Sequence, residues 1–129
     1  MQPHYSPEVW HRFRAPRHAG VLVGAGVYRG EARTPASRAV LRLYLEVAAG
    51  HIRRARFQAF GCPSTIAAGD WLCERLEQRS LAEVSGLAAA ELAEALALAP
   101  ERRHCAVLAE DALRAGLQAW QSQAKIKVS

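Results

Sequence analysis

The sequence predicts an α+β fold in which a three-stranded antiparallel sheet has helices packed on one face, with an N-terminal helix and a long C-terminal helix. Apolar residues alternate in the first half of the chain, as in strands, and recur at helical spacing from residue 63 onward. The chain has 129 residues, half of them hydrophobic, which is enough for one core but not for two. We therefore expect a single domain over residues 1–129, with frayed tails at 1–4 and 122–129.

The first half of the chain predicts a short helix and a meander of strands. Ser6-Pro7-Glu8 is typical of a helix start, with a capping serine, a proline in the first turn and an acidic residue behind it. Glycines at positions 24 and 26 indicate a bend in the first strand, and Ala49-Gly50 supplies a turn between the second and the third. The expected elements are a helix from Pro7 to about Phe13 and strands over 21–28, 40–47 and 52–60.

The second half predicts helices. Pro63 suits the first turn of a helix, and the apolar residues behind it keep helical spacing as far as Leu76. A capped turn over 80–84 and an alanine-rich helix over 88–98 come next. Pro100 ends that helix and precedes a long one that runs to about Trp120.

Composition disfavours several classes of protein. The sequence has no run of 18 apolar residues and no signal-like N-terminus, so we expect a cytoplasmic protein without a membrane segment. Three widely spaced cysteines do not make a secreted disulfide framework. The formal charge of +5 is spread along the chain without interleaved aromatic residues, so nucleic acid is the least favoured partner.

Cys62 and Cys105 are candidates for thiol or metal chemistry. Cys62 lies where the third predicted strand ends and a helix begins, and Cys105 lies just inside the predicted long helix. Helix N-termini favour anions and lower the pKa of a thiol. His104 adds an imidazole beside Cys105, and sulfur with nitrogen donors suits zinc or iron-sulfur chemistry. Without a C-x-x-C pair, the spacing alone leaves a structural role open for all three residues.

The other cysteine, the other histidines and the tryptophans are interpreted as structural residues. Cys73 is expected to be a small buried residue on an amphipathic helix. The histidines expected at the surface are His4, His11, His18 and His51. The tryptophans expected to anchor helix packing are Trp10, Trp71 and Trp120.

Several ordered segments resemble one protein family. They are Tyr5-Ser6-Pro7-Glu8-Val9, Pro16-Arg17-His18-Ala19-Gly20, Ala55-Arg56-Phe57-Gln58-Ala59-Phe60-Gly61-Cys62 and His104-Cys105-Ala106-Val107-Leu108-Ala109-Glu110-Asp111-Ala112. From Tyr5 to about Trp120 the chain resembles the iron-sulfur cluster assembly scaffold family, the NifU N-terminal or IscU-like domain. The resemblance implies a scaffold and not an enzyme. Such a scaffold receives persulfide sulfur from a cysteine desulfurase, takes iron and holds a transient [2Fe-2S] cluster, and zinc can occupy the same ligands.

The resemblance also implies a ligand set with two replacements. By position, Cys62 matches the second family cysteine, His104 the histidine, and Cys105 the third cysteine, which accepts sulfur. Ser37 stands where the family has its first cysteine, and Ala39 where it has an aspartate. A hydroxyl is a harder donor than a thiolate, and a methyl group cannot ligate. The fourth ligand of a cluster would therefore come from Ser37, a second subunit, a partner or a small thiol.

Two further differences from the family concern charge and partners. Arg38 stands where the family has glycine, and a cation close to iron or zinc is electrostatically unfavourable. The segment of the family that a specialised Hsp70 chaperone recognises corresponds here to Leu98-Ala99-Pro100-Glu101-Arg102. Because this segment is changed, recognition by that chaperone is expected to be impaired.

Three functions remain open from the sequence. The first is a divergent scaffold or carrier that binds a cluster, iron or zinc, with a cysteine desulfurase and a complete scaffold paralogue or an apo client as partners. The second is a degenerate paralogue that binds no metal and acts as an adaptor or regulator of a desulfurase or of a true scaffold. It is suggested by the replacement of two family ligands. The third and weakest is a nucleic-acid-binding module.

Overall fold

The structure has a three-stranded antiparallel sheet in the first half of the chain and a long helix at its end. The computed structural model describes residues 5–35 and 38–128. The strands, which are neighbours in chain order, are β1 (Val27–Thr34), β2 (Ala39–Ala48) and β3 (His51–Phe60). The helices are α1 (Pro7–Arg14), α2 (Pro63–Leu76), α3 (Leu81–Val84), α4 (Ala89–Ala95) and α5 (His104–Val128), with a 3₁₀ turn at Pro100–Arg102. The predicted fold class is confirmed.

The first strand begins later than the sequence predicts. Residues 21–23 form no strand, because Gly24 (φ 119°) and Gly26 (φ 87°) turn the chain before β1 can start at Val27. The segment that precedes them pairs with β3 instead. Gly20 N–H donates to the Phe57 carbonyl at 2.8 Å, and Phe57 N–H donates to the His18 carbonyl at 3.0 Å. These bonds protect the free edge of β3.

The last helix is longer than the sequence predicts. It continues to Val128, whereas the apolar pattern indicates an end near Trp120. The segment behind Trp120 contains neither glycine nor proline, so no residue there stops the helix. The tail predicted at 1–4 lies outside the described residues.

The core lies between the sheet and the helices. The alternation in β2 buries Leu41, Leu43 and Leu45 completely, as the sequence predicts, and Phe57 of β3 joins them. Helices α2 and α5 cover this face of the sheet. Cys73 of α2 is buried in the same core, which confirms its structural interpretation. Burying a leucine side chain of this kind contributes about 2 kcal/mol.

Helix α5 lies directly on β1 because both elements have a glycine at the crossing. A β-carbon on Gly30 would overlap the backbone nitrogen of Gly116 and the carbonyl oxygen of Ala112. A β-carbon on Gly116 would be 3.1 Å from a methyl group of Leu45. The absence of side chains at this crossing sets the height of α5 above the sheet, and with it the position of the helix's N-terminal turn.

A buried carboxylate joins α1 and the following loop to α2. Asp70 of α2 is 2% exposed. Its oxygens accept hydrogen bonds from Arg12 Nη1 at 2.8 Å and from the backbone N–H of His18 at 3.0 Å. A buried charge of this kind is stable only when it is paired and hydrogen-bonded, and both conditions are met here.

His18 is not a surface residue, and that prediction is wrong. Its side chain is 12% exposed, and its two ring nitrogens lie 3.2 Å from Asp70 Oδ1 and 3.2 Å from Glu77 Oε1. Glu77 also accepts hydrogen bonds from the backbone N–H of Ala55 at 2.9 Å and from Arg56 Nη1 at 2.8 Å. The carboxylates of Asp70 in α2 and of Glu77, the C-cap residue of α2, draw the histidine inward. This is a tertiary effect that local spacing does not reveal.

Replacing Gly30 with alanine should destabilise the fold. The added methyl group has no space between β1 and α5, and overpacking of this kind costs about 1 to 3 kcal/mol. Urea denaturation of Gly30→Ala measures the loss. Gly86→Ala is the matched control, because a β-carbon at Gly86 meets no atom within 4 Å. Equal unfolding midpoints for the two variants would contradict the packing at this crossing.

Glu77 should contribute stability that is lost in acid. Burial raises the pKa of its carboxyl, but hydrogen bonds from Ala55 and Arg56 and the charges of His18 and Arg56 outweigh burial and hold that pKa below its usual range. Because the folded-state pKa is depressed, the contribution is complete above the unfolded pKa of about 4.3 and disappears as pH falls through the folded value.

The free energy of unfolding of the Glu77→Gln variant should therefore be about 1 to 2 kcal/mol lower than that of the wild type at pH 7. This difference should shrink below about pH 4. Denaturant titrations at a series of pH values measure it, with the exposed Glu101→Gln as a control. A difference between wild type and Glu77→Gln that does not change with pH would refute the role of the charge.

Candidate metal and thiol site

The turn from β3 into α2 places Cys62 at the N-terminus of a helix. Cys62 is the N-cap residue of α2, Pro63 is at the first helical position, and the Cys62 side chain is half-buried. Gly61 has φ 153°, and a β-carbon there would be 2.7 Å from Thr65 Oγ1. A glycine is therefore needed for the chain to pass Thr65 and present Cys62 at this end of the domain.

The second cysteine lies in the first turn of α5. The 3₁₀ turn at Pro100–Arg102 redirects the chain, and α5 then begins with His104 and Cys105. Cys105 is fully buried, whereas His104 is half-buried. The predicted placement of both thiols at helix N-termini is confirmed.

The structure brings the three predicted site residues together. Cys62 Sγ lies 3.9 Å from Cys105 Sγ, and both thiols are free. Cys105 Sγ lies 3.6 Å from His104 Nε2. Thr65 Oγ1 lies 3.8 Å from Cys62 Sγ and 3.5 Å from Cys105 Sγ, so this hydroxyl contacts both sulfurs. One cluster of two thiols, an imidazole and a hydroxyl results.

The cluster is not arranged as a complete metal cage. Within residues 5–35 and 38–128, no three or more His, Cys, Asp or Glu side chains are grouped so that they could hold a metal ion. Ser37, the residue predicted as a further ligand, lies outside this described part. The donor set itself, two thiols and an imidazole, suits zinc and iron-sulfur chemistry. Metal binding by these three residues remains a prediction that requires their side chains to reorient.

The two thiols differ in acidity because they share a hydrogen bond. The hydrogen bond from Cys105 is the main cause that lowers the pKa of Cys62 to about 4, and the backbone and hydroxyl of Thr65 also contribute. The same contact with the Cys62 anion, together with burial, raises the pKa of Cys105. The pair therefore holds one proton at neutral pH, with Cys62 as the thiolate and Cys105 as the donor.

The structure describes two of the residues at which the sequence is predicted to differ from the family, Ala39 and Arg38. Ala39 begins β2 and is 2% exposed, and its β-carbon would lie 3.3 Å from a β-carbon added to Gly61. Ala39, which the resemblance predicts to stand in the place of the family aspartate, thus packs against the turn that presents Cys62. Arg38 is exposed, with φ 56°, so its side chain extends from the surface.

Three residues of the site were not predicted from the sequence. The Arg102 guanidinium lies 5.2 Å from the ring centroid of Tyr5, which also packs edge-on against Trp10 at 5.2 Å. Burial and the Cys62 anion raise the pKa of Tyr5, so the phenol keeps its proton beside the thiolate. Thr65 follows Cys62 by three residues, a spacing that places both residues on one face of a helix. This spacing could have identified Thr65 as a residue of the site. No sequence signal identifies Arg102.

Comparison with known proteins identifies the relatives of the chain. Residues 4–127 match the model of the NifU-like N terminal domain. The iron-sulfur cluster assembly scaffold protein IscU of Azotobacter vinelandii is 36% identical, over 91% of this chain and 94% of that protein. The IscU protein of Escherichia coli is 33% identical, over 95% of this chain and 98% of that protein. Iron sulfur cluster assembly protein 1, mitochondrial, of Eremothecium gossypii is 33% identical, over 94% of this chain and 81% of that protein.

Solved structures share the fold. A protein from Fervidobacterium islandicum, described as an iron-sulfur cluster assembly scaffold for the SUF system, superimposes with a TM-score of 0.74 at 16% identity, over 88% of this chain and 96% of that one. A NifU-like N-terminal protein from Brucella abortus gives a TM-score of 0.59 at 13% identity, over 84% of this chain and 76% of that one. In the described part of the chain, no helix is both long enough and apolar enough to cross a membrane.

Removing Cys105 should raise the pKa of Cys62. Cys105→Ala eliminates the main hydrogen bond to the Cys62 anion, so the midpoint of the alkylation rate against pH should move from the acid range toward about 8.5, the ordinary thiol value. Alkylation at Cys62, quantified by peptide mass spectrometry, measures this midpoint. Cys105→Ser restores a donor and should give an intermediate value. The same midpoint in wild type and Cys105→Ala would rule out the shared proton.

Proposed function

Because the chain belongs to the NifU-like N-terminal domain family, we propose that it acts as an iron-sulfur cluster assembly scaffold or carrier with an altered metal site. The observation that supports this most directly is the contact of Cys62, His104 and Cys105 at one end of the domain. The proposed cargo is a transient [2Fe-2S] cluster or iron, and zinc is an alternative occupant. The role is that of a holder and not of an enzyme.

Each of the three residues has a distinct part in holding the cargo. Cys62 is already a thiolate and offers the first sulfur ligand. Cys105 releases its proton when metal binds, because a coordinated thiol is deprotonated. His104 supplies a nitrogen beside it. Two thiolates and one imidazole leave a fourth position open, which favours transfer of the cargo over permanent retention. Ser37, a second subunit, a partner or a small thiol would fill that position.

Cys105 is the proposed persulfide acceptor, with a cysteine desulfurase as the sulfur donor. In that step Cys105 first loses its proton to solvent, and its thiolate attacks the terminal sulfur of the donor persulfide. A new S–S bond forms on Cys105, the donor S–S bond breaks, and the donor cysteine leaves as a thiolate. Since Cys105 is buried, the step also requires the first turn of α5 to open. Other proposed partners are a complete scaffold paralogue and apo clients.

The packing of Ala39 favours a second candidate function. An apolar residue packs against the turn that presents Cys62, in the place of the family aspartate. On this alternative the chain binds no metal and regulates a desulfurase or a complete scaffold. Co-purification with a desulfurase and a changed desulfurase rate would support it. A desulfurase that neither binds the chain nor changes rate would exclude it.

Freshly purified wild-type protein should contain iron or zinc that depends on the two thiols. We expect Cys62→Ala and Cys105→Ala each to lose most of the bound metal, and Cys73→Ala to keep it because Cys73 is buried in the core away from the site. Elemental analysis and anaerobic reconstitution with iron and sulfide provide the measurement.

The double variant Ser37→Cys, Ala39→Asp restores the family residues and completes this experiment. It should bind metal more tightly than the wild type. If the wild type holds no metal while this variant does, the scaffold proposal fails and the regulatory alternative gains support.

A further inference from the structure

We propose that Cys62 and Cys105 form an oxidative modification site, in which Cys62 reacts with a low-molecular-weight disulfide and Cys105 closes an intramolecular disulfide. The inference goes beyond the proposed function and does not rest on it. It follows from the distance between the two sulfurs and from their unequal exposure.

The two sulfur atoms are already in non-bonded contact. They lie 3.9 Å apart, and a disulfide requires about 2.0 Å. Rotation of the Cys62 side chain, which is half-buried at the N-cap of α2, can close the remaining distance to the buried Cys105. Thr65 Oγ1 contacts both sulfurs and keeps them on the same side of the α2 N-terminus.

The exposure of the three cysteines sets the order of events. Cys62 is half-buried, so a small disulfide can reach it, whereas Cys105 is fully buried behind it. Cys73 lies in the core. The reagent therefore meets Cys62 first, and Cys105 is placed to react with the sulfur of Cys62 and not with the reagent.

The chemistry is two successive thiol-disulfide exchanges. The Cys62 thiolate attacks the reagent, its S–S bond breaks, and one reagent thiolate leaves while Cys62 carries the mixed disulfide. Cys105 then loses its proton to solvent and attacks Cys62 Sγ, and the second reagent thiolate leaves. The protein loses two electrons and the single proton of the pair, and the two reagent thiolates take up protons from solvent to become thiols. The reagent is the only oxidant required.

Only one intramolecular disulfide is expected, because no third thiol is available to attack the Cys62–Cys105 bond. The chain has three cysteines, and the third, Cys73, is buried away from the pair. Since Ser37 has no thiol, it cannot attack the new disulfide. The disulfide also occupies both sulfur ligands of the proposed metal site, so oxidation and metal binding exclude each other.

Oxidised glutathione and intact-mass analysis test the proposal on the full chain. Reduced metal-free wild type should lose two hydrogens and carry no adduct, and peptide mapping should find Cys62 linked to Cys105. Cys105→Ser should stop at one glutathione adduct on Cys62. Cys62→Ser should react at Cys105 at least tenfold more slowly than wild type reacts at Cys62. Cys73→Ser should behave as the wild type does.

A wild type that keeps a stable glutathione adduct, or that remains fully reduced, would overturn the proposal, as would faster reaction at Cys105 than at Cys62. The mapping on the wild type needs no substitution, so it stays decisive if a variant folds poorly. The scaffold proposal is tested separately by metal content, so either of the two proposals can be refuted while the other stands.

Discussion

The site depends on how closely α5 approaches the sheet. Gly30 and Gly116 leave no side chain between β1 and α5, so the helix axis lies nearer to the sheet than larger residues would allow. The first turn of α5 lies about three helical turns from Gly116, and the rigidity of the helix transmits the position of this crossing to Cys105. The β3–α2 turn, made possible by Gly61, brings Cys62 to the same point. Two backbone constraints thereby place two sulfurs 3.9 Å apart.

That contact explains the chemistry of the pair. A buried thiol beside a thiolate at a helix N-terminus shares its proton, and the electrostatic difference between the two environments decides which sulfur is the anion. Cys62 has the more polar surroundings, since it is the half-buried N-cap residue of α2. Cys105 lies deeper and remains protonated. In the proposed metal site Cys62 can bind the metal as a thiolate, whereas Cys105 must first lose its proton, so we expect metal binding to depend on pH.

Much of the fold and part of the site could be predicted from the sequence. Alternation in β2 predicts which face is buried, and Pro63 and Pro100 predict where helices begin, because these signals are local. His18 was misjudged because its partners, Asp70 and Glu77, are more than fifty residues away along the chain. Likewise, Arg102 reaches Tyr5 only in the folded state. Such contacts depend on tertiary packing, which residue spacing does not encode.

In the proposed function, Cys62, Cys105 and His104 act together as one ligand set. X-ray absorption spectroscopy of the zinc-loaded protein tests it most directly, because sulfur and nitrogen ligands have different bond lengths. We expect two sulfur neighbours at about 2.3 Å and at least one nitrogen at about 2.0 Å from the zinc. A zinc site with only nitrogen and oxygen neighbours, or a protein that takes up no zinc, would contradict it.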